Sequence, residues 1–161
     1  VAEVWCRSAT GDDFEVIAHL HAQSWRDDYR GIYSDEFLDG DVLTDRLRVW
    51  KERLTAAGPD RVTVVAEHDG TVVGFIHIIR DADPNWGAVV QNIHVARDWQ
   101  GRGAGSRLLA QASRPLFAMV REDNPRARAF YESRGGVVTG RELGGPFPDG
   151  SRVTVLRYVW R

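Results

Sequence analysis

Residues 95–109, VARDWQGRGAGSRLL, decide how the rest of the chain is read. A β-branched run from Ala88 to Val95 stops at Gln100-Gly101-Arg102-Gly103-Ala104-Gly105, and an amphipathic helix begins at once. Helix propensity does not explain Gly101, Gly103 and Gly105, since each glycine costs about 1 kcal/mol against alanine in a helix interior. What they offer is backbone approach: without Cβ atoms, several N–H groups can converge on one anion at the positive end of the following helix. The turn reads as a cradle for a phosphate or pyrophosphate.

Two nucleotide loops fail on spelling. A Walker A loop needs Lys-Ser/Thr behind its last glycine, and neither Gly103 nor Gly105 has it. A dinucleotide fingerprint needs G-x-G-x-x-G, but in Gly101-Arg102-Gly103-Ala104-Gly105 the third glycine comes one residue early. A tight strand-to-helix turn with no ligand stays open as the plain alternative.

Working outward, Val4–Ser8 reads as a strand, and Gly11-Asp12-Asp13 leads into a helix with Phe14, Ile17, Ala18, His21 and Trp25 at helical spacing. Ser34 caps a second helical stretch, interrupted at Gly40 and stopped at Gly58-Pro59. Val62–Glu67 and Thr71–Ile79 flank an Asp69-Gly70 turn, the strongest hairpin signal in the chain. A polar loop over 81–87, the strand Ala88–Val95, the loop helix Ala104–Ala112 and a strand Leu116–Val120 follow. Asn124-Pro125 opens a last helix that ends at Gly135-Gly136, and Val137–Thr139 pairs with Val153–Trp160 across a Gly/Pro-rich loop over 144–150. The order β-α-α-β-β-β-α-β-α-β-β predicts an α/β fold: a mixed, predominantly antiparallel central sheet with helices on both faces, in three layers.

Composition narrows the function classes. At 161 residues and 43% hydrophobic content, one domain spanning 1–161 is expected. With 21 basic and 23 acidic residues and no basic block, nucleic-acid binding has no electrostatic footprint. Apolar runs fall short of a membrane span, and Val1–Thr10 lacks the apolar core of a signal peptide. The single Cys6 allows no internal disulfide and fits a cytoplasmic protein. No metal is expected.

The loop spells Q/R-x-x-G-x-G/A, which resembles the acyl-CoA pyrophosphate loop of the GNAT N-acetyltransferase superfamily. Asn124-Pro125-Arg126-Ala127-Arg128-Ala129-Phe130-Tyr131-Glu132 looks like the same superfamily's N-x-x-A-x-x-F/L-Y-E segment, and residues 24–33 resemble its first-helix region. The element order matches from end to end. The resemblance implies acetyl-CoA as cosubstrate, a primary amine of a small molecule or peptide as acceptor, and direct attack of that amine on the thioester.

Carried over residue by residue, it assigns the backbone of Ile93, His94 and Val95 to the acetyl and pantetheine groups. Gln100, Gly101, Arg102, Gly103, Ala104, Gly105 and Ser106 would hold the pyrophosphate, and Asn124 the pantetheine. Arg102 and Arg107 could add charge or simply face solvent. Tyr131 would protonate the leaving thiolate. Trp25, Tyr29, Tyr33, Trp50, Gln91, the 81–87 loop with Trp86 and the 144–150 loop would line the acceptor pocket, with Asp27 and Asp28 attracting a cationic amine.

The base departs from the pattern. The family's usual positions align with Val89 and Met119, neither ionisable. Strand parity groups 89, 91, 93 and 95 on one face, so His94 qualifies as catalytic only if the strand bulges. His77, Glu122 and Asp28 are weaker candidates, and water or an already neutral amine would dispense with a base. A short link at Ser113-Arg114-Pro115 predicts a thin helical edge with Trp99 or Phe117 exposed, a candidate homodimer contact. The alternative function is a non-catalytic acyl-CoA-binding sensor or interaction module; a nucleotide-binding domain using the same loop is a third reading.

Overall fold

A computed structural model describes residues 3–56 and 58–161, and its strands follow the period-two pattern of the sequence. In chain order the elements are β1 (Trp5–Ser8), α1 (Phe14–Asp28), α2 (Val42–Thr55), β2 (Arg61–His68), β3 (Thr71–Asp83), β4 (Gly87–Val95), α3 (Ala104–Leu109), β5 (Leu116–Arg121), α4 (Pro125–Glu132), β6 (Val137–Gly144) and β7 (Val153–Trp160). The strands form one sheet in the order β1-β2-β3-β4-β5-β7-β6. Every neighbouring pair is antiparallel except β4 with β5. This is the mixed sheet that the element order predicts.

Alternation sends side chains to two cores. Val64, Ala66, Ile76, Ile78 and Val90 pack under α3 and α4 with Ala104, Leu108, Leu109 and Tyr131. Val65 and Phe75, of opposite parity, pack under α1 and α2 with Ile17, Ala18 and Trp50. The hairpin turn has Asp69 at φ 47° and Gly70 at φ 77°, as a two-residue turn that matches strand twist requires. At Gly40 the second helical stretch loosens into a π-helical segment over Phe37–Asp41, and Ser34 Oγ accepts the Phe37 N–H at 3.2 Å.

Three boundaries differ from the sequence reading. β3 runs to Asp83 rather than Ile79, because Asp83 pairs with Gly87 and its carboxylate accepts the N–H groups of Asn85 and Trp86 at 2.7 and 3.1 Å. Side-chain hydrogen bonds, not burial, hold that polar extension. α3 stops at Leu109 rather than Ala112: the N–H groups of Gln111 and Ala112 bond three residues back, tightening the last turn out of α-geometry. β6 reaches Gly144 rather than ending at Thr139, since backbone pairing with β7 at an exposed edge needs no apolar alternation.

The exposed apolar surface also lies elsewhere than predicted. Trp99 and Phe117 are half-buried, Trp99 against the α3 side of the core, while Val137, Val138 and Leu143 of edge strand β6, with Ile32 and Trp5, are exposed. Among the described residues no helix is long and apolar enough to cross a membrane.

One irregularity positions the site. β4 and β5 pair only at Ala88 with Leu116 and Val89 with Phe117, then part. From Val90 onward β4 is paired only with β3, and from Ala118 onward β5 is paired only with β7. Each strand therefore turns alternate backbone N–H and C=O groups toward an unfilled gap.

Candidate active site

A cleft of about 1050 Å³ opens through that gap, from the glycine loop on one face of the sheet to α1 on the other. Its β4 wall depends on a bulge. Register shifts by one between the His77–Asn92 and Ile78–Val90 pairs, so Gln91 is the extra residue. The strict alternation of 89, 91, 93 and 95 is therefore corrected: Val90, Ile93 and Val95 pack on the α3 side, while His94 turns to the α1 side against His21 and Phe75. The bulge gives His94 the orientation that parity alone denied it. Ile93, His94, Val95 and the bulged Gln91 all line the cleft.

The loop glycines serve two purposes rather than one. Gly101 and Gly103 have φ of 75° and 89°, a left-handed backbone that a Cβ would strain, and Gly103 is the N-cap of α3. Gly105 is needed for packing: a Cβ there would lie 2.5 Å from Phe130 Cε2 on α4. Gln100, Gly101, Gly103 and Gly105 line the cleft, and the Gln100 side chain ties β4 to α4 by donating to the Val95 carbonyl at 3.1 Å and accepting from Arg126. Arg102, Ala104 and Ser106 do not line it. The Arg102 guanidinium lies over Trp99, Ala104 is buried in the core, and Ser106 Oγ accepts from Arg134 Nε at 2.9 Å. Arg107 is exposed.

Across the gap, Asn124 caps α4 by accepting the Ala127 N–H at 3.1 Å. Its Nδ2 reaches the Tyr29 hydroxyl at 3.4 Å, so the cap faces the cleft with its polarity partly spent. Tyr131 is 6% exposed, wedged edge-on against Trp160 and Phe130, and it lines the cleft. Burial, with Tyr29 adding, pushes its phenol well above the usual range, so it stays protonated.

The α1 side holds two neutral histidines. Desolvation, with Arg46 adding, pushes His94 down to about 4. His21 is also depressed well below its ordinary value by burial, then by His94, Arg46 and Arg53. Trp50 Nε1 donates to His21 Nδ1 at 3.0 Å, so neutral His21 carries its proton on Nε2. The two imidazole rings lie 4.8 Å apart.

The predicted acceptor residues divide. Trp25, Tyr29 and Gln91 line the cleft. Tyr33 does not: it is 4% exposed, stacks behind Trp25 and accepts from Arg121 Nη1 at 2.8 Å, bracing the wall. Trp86 lies away from the cleft beneath the guanidinium groups of Arg157 and Arg161, since the extended β3–β4 turn carries it toward the other end of the sheet. Trp50 is core. Asp27 and Asp28 are not free for an amine: Arg97 and Arg126 pair with them at 3.0 and 3.2 Å, tying the end of α1 to the glycine-loop linker and to α4. Sequence reasoning missed His21, Arg46, Arg121 and Glu142 as lining residues, and Phe147 except as part of the 144–150 loop. Met119 lines the cleft and Val89 sits at the last paired rung of β4 with β5.

A parted parallel pair, a left-handed glycine turn and a buried tyrosine thus face one cleft. The model of the acetyltransferase (GNAT) family matches residues 22–136. This chain belongs to the GNAT acetyltransferase family. It is 28% identical over 140 residues to an uncharacterized N-acetyltransferase of Bacillus subtilis, covering 81% of this chain and 78% of that protein. A probable N-acetyltransferase of Mycobacterium tuberculosis is 29% identical over 143 residues, covering 84% and 80%. In fold it is similar to the PaiA N-acetyltransferase of Thermoplasma acidophilum, solved in complex with coenzyme A, with TM-score 0.73, 19% identity and coverage of 98% and 99%. An acetyltransferase of Salmonella typhimurium, solved with its cofactor acetyl-CoA, superposes with TM-score 0.66 at 18% identity, covering 99% and 94%. As a GNAT member the chain is an acetyl-CoA-dependent acetyltransferase. The sensor and nucleotide-binding readings gain no support.

Proposed function

We propose that residues 1–161 act as one N-acetyltransferase domain in the cytoplasm, transferring acetyl from acetyl-CoA to a primary amine of a small molecule or peptide by direct attack. The carrying observation is the gap between β4 and β5, where extended backbone is left unpaired on both sides of a cleft. An extended arm of pantetheine, itself carrying amide donors and acceptors, fits that vacancy as a surrogate strand. Acetyl-CoA supplies the thioester carbonyl that an amine attacks.

The chain's own groups divide the remaining work. Backbone amides of Ile93–Val95 orient the acetyl end, and the Gly101–Ser106 turn with its left-handed glycines holds the pyrophosphate. Tyr131, held protonated by burial, donates its phenolic proton toward the sulfur as the thiolate leaves. His94 is neutral near pH 7, so it is an acceptor rather than a second cation in the cleft. Its low basicity suits it to take a proton only once carbon–nitrogen bond formation has made the ammonium acidic. The acceptor must then arrive neutral, which favours amines near pKa ~8 over lysine-like amines near ~10.4.

Turnover of acetyl-CoA over a panel of amines tests this reading. Y131F should lower kcat about a hundredfold while leaving the acetyl-CoA KM within about twofold. Unchanged kcat would remove Tyr131 as the acid.

A further inference from the structure

Three carboxylates line the cleft: Asp27, Asp28 and Glu142. The first two are neutralised by Arg97 and Arg126. Glu142 forms no ion pair among the described residues and is exposed toward the cleft. The nearby cations have other partners. Arg121 is held by Asp123 through Nε and Nη2 at 2.9 and 2.8 Å, and Arg46 pairs with Asp45. Arg157, on the same face of β7, turns away to Thr139 and to the ring of Trp86.

Strand register places Glu142 in a row. Arg121 of β5 and Glu142 of β6 both pair with Val155 of β7, so all three project on the α1 face, with buried Val155 as the floor between two charged side chains. Neighbouring strands lie ~4.8 Å apart, so Glu142 stands about 10 Å along the sheet from β5. That is too far to act on the nitrogen at the β4–β5 gap. It is within reach of a second group on the same acceptor, several carbon atoms away.

We infer that Glu142 is a specificity residue that binds a second ammonium group on the acceptor, remote from the amine that is acetylated. The inference rests on the proposed amine acetylation. An acceptor of this class lies along the Val155 floor with one nitrogen neutral at the thioester and the other charged at Glu142. Of the arginines that line the cleft, Arg46, Arg97, Arg121 and Arg126 are each paired with a carboxylate, and Arg134 is held at the Ser106 hydroxyl of α3.

The test compares 1,4-diaminobutane with butylamine, and 1,5-diaminopentane with pentylamine, in the wild-type protein and in E142Q. Glu142 is exposed and its side chain makes no hydrogen bond or ion pair among the described residues, so E142Q should fold normally. The diamine-to-monoamine ratio of kcat/KM should fall about fivefold in E142Q, through the diamine KM, with monoamine and acetyl-CoA kinetics unchanged. Normal monoamine turnover with an unchanged ratio would overturn the role of Glu142 alone. Failure of the wild-type protein to acetylate these four alkylamines while it acetylates amines of lower pKa would overturn this inference alone; failure with every amine of the panel, acetyl-CoA bound, would overturn the amine-transfer reading and this inference with it.

Discussion

Acidification from pH 6.5 should destabilise this protein before its carboxylates titrate, and His77 measures by how much. His77 is 1% exposed on β3, with Nδ1 against Thr63 Oγ1 at 2.7 Å and Nε2 buried without a partner. Desolvation, with Arg53 and Arg61 adding, pushes it down to about 4 from 6.5. Between those values the unfolded chain binds a proton that the folded chain refuses. The contribution to stability is complete above pH 6.5 and is lost as pH falls toward 4. For His77 alone that step is worth about 3 kcal/mol. His94 and His21 shift in the same direction and steepen the loss. Asp13 and Asp123, held below the ordinary carboxylate range by Arg7 and Arg121, lose stability only at lower pH. Asp28, raised by burial, works weakly the other way. Urea unfolding at intervals from pH 7.5 to 4.5 would read the slope directly. H77N, which cannot titrate there, should reduce it near pH 5 by roughly one proton, about 1.4 kcal/mol per pH unit. A stability that stays flat from pH 7 to 5, or a slope identical in H77N, would refute the reasoning.

The two kinds of loop glycine should respond differently. G103A meets open space but must hold φ near 89°, so it should cost about 1–2 kcal/mol in thermal unfolding and weaken CoA binding by calorimetry. G105A clashes with Phe130 instead and should cost about 1–3 kcal/mol; F130L in the same chain should restore most of it, whereas it should not rescue G103A.

Much of the cofactor end was legible because its signals are contiguous. Gln100 to Gly105 and Asn124 to Tyr131 are short local segments whose turn and cap chemistry shows in residue type, and the structure brings both to one cleft. The acceptor end was not. Tyr33, Trp50 and Trp86 have the composition of pocket residues, but their positions depend on what packs against them: Arg121, His21 and Arg157 respectively.

The sequence by itself determined the order of elements, the mixed sheet and the position of the glycine turn, since helix spacing, strand alternation and glycine placement are local properties of the chain. Only the tertiary structure decided which way β4 faces its side chains. The bulge at Gln91 arises from pairing with β3, and a single extra residue reverses parity for everything beyond it, turning His94 toward His21. Tertiary pairing likewise decided which charges remain free. Asp27, Asp28 and Glu142 are equivalent as letters, and only arginines brought from the loop linker and α4 neutralise the first two and leave the third open.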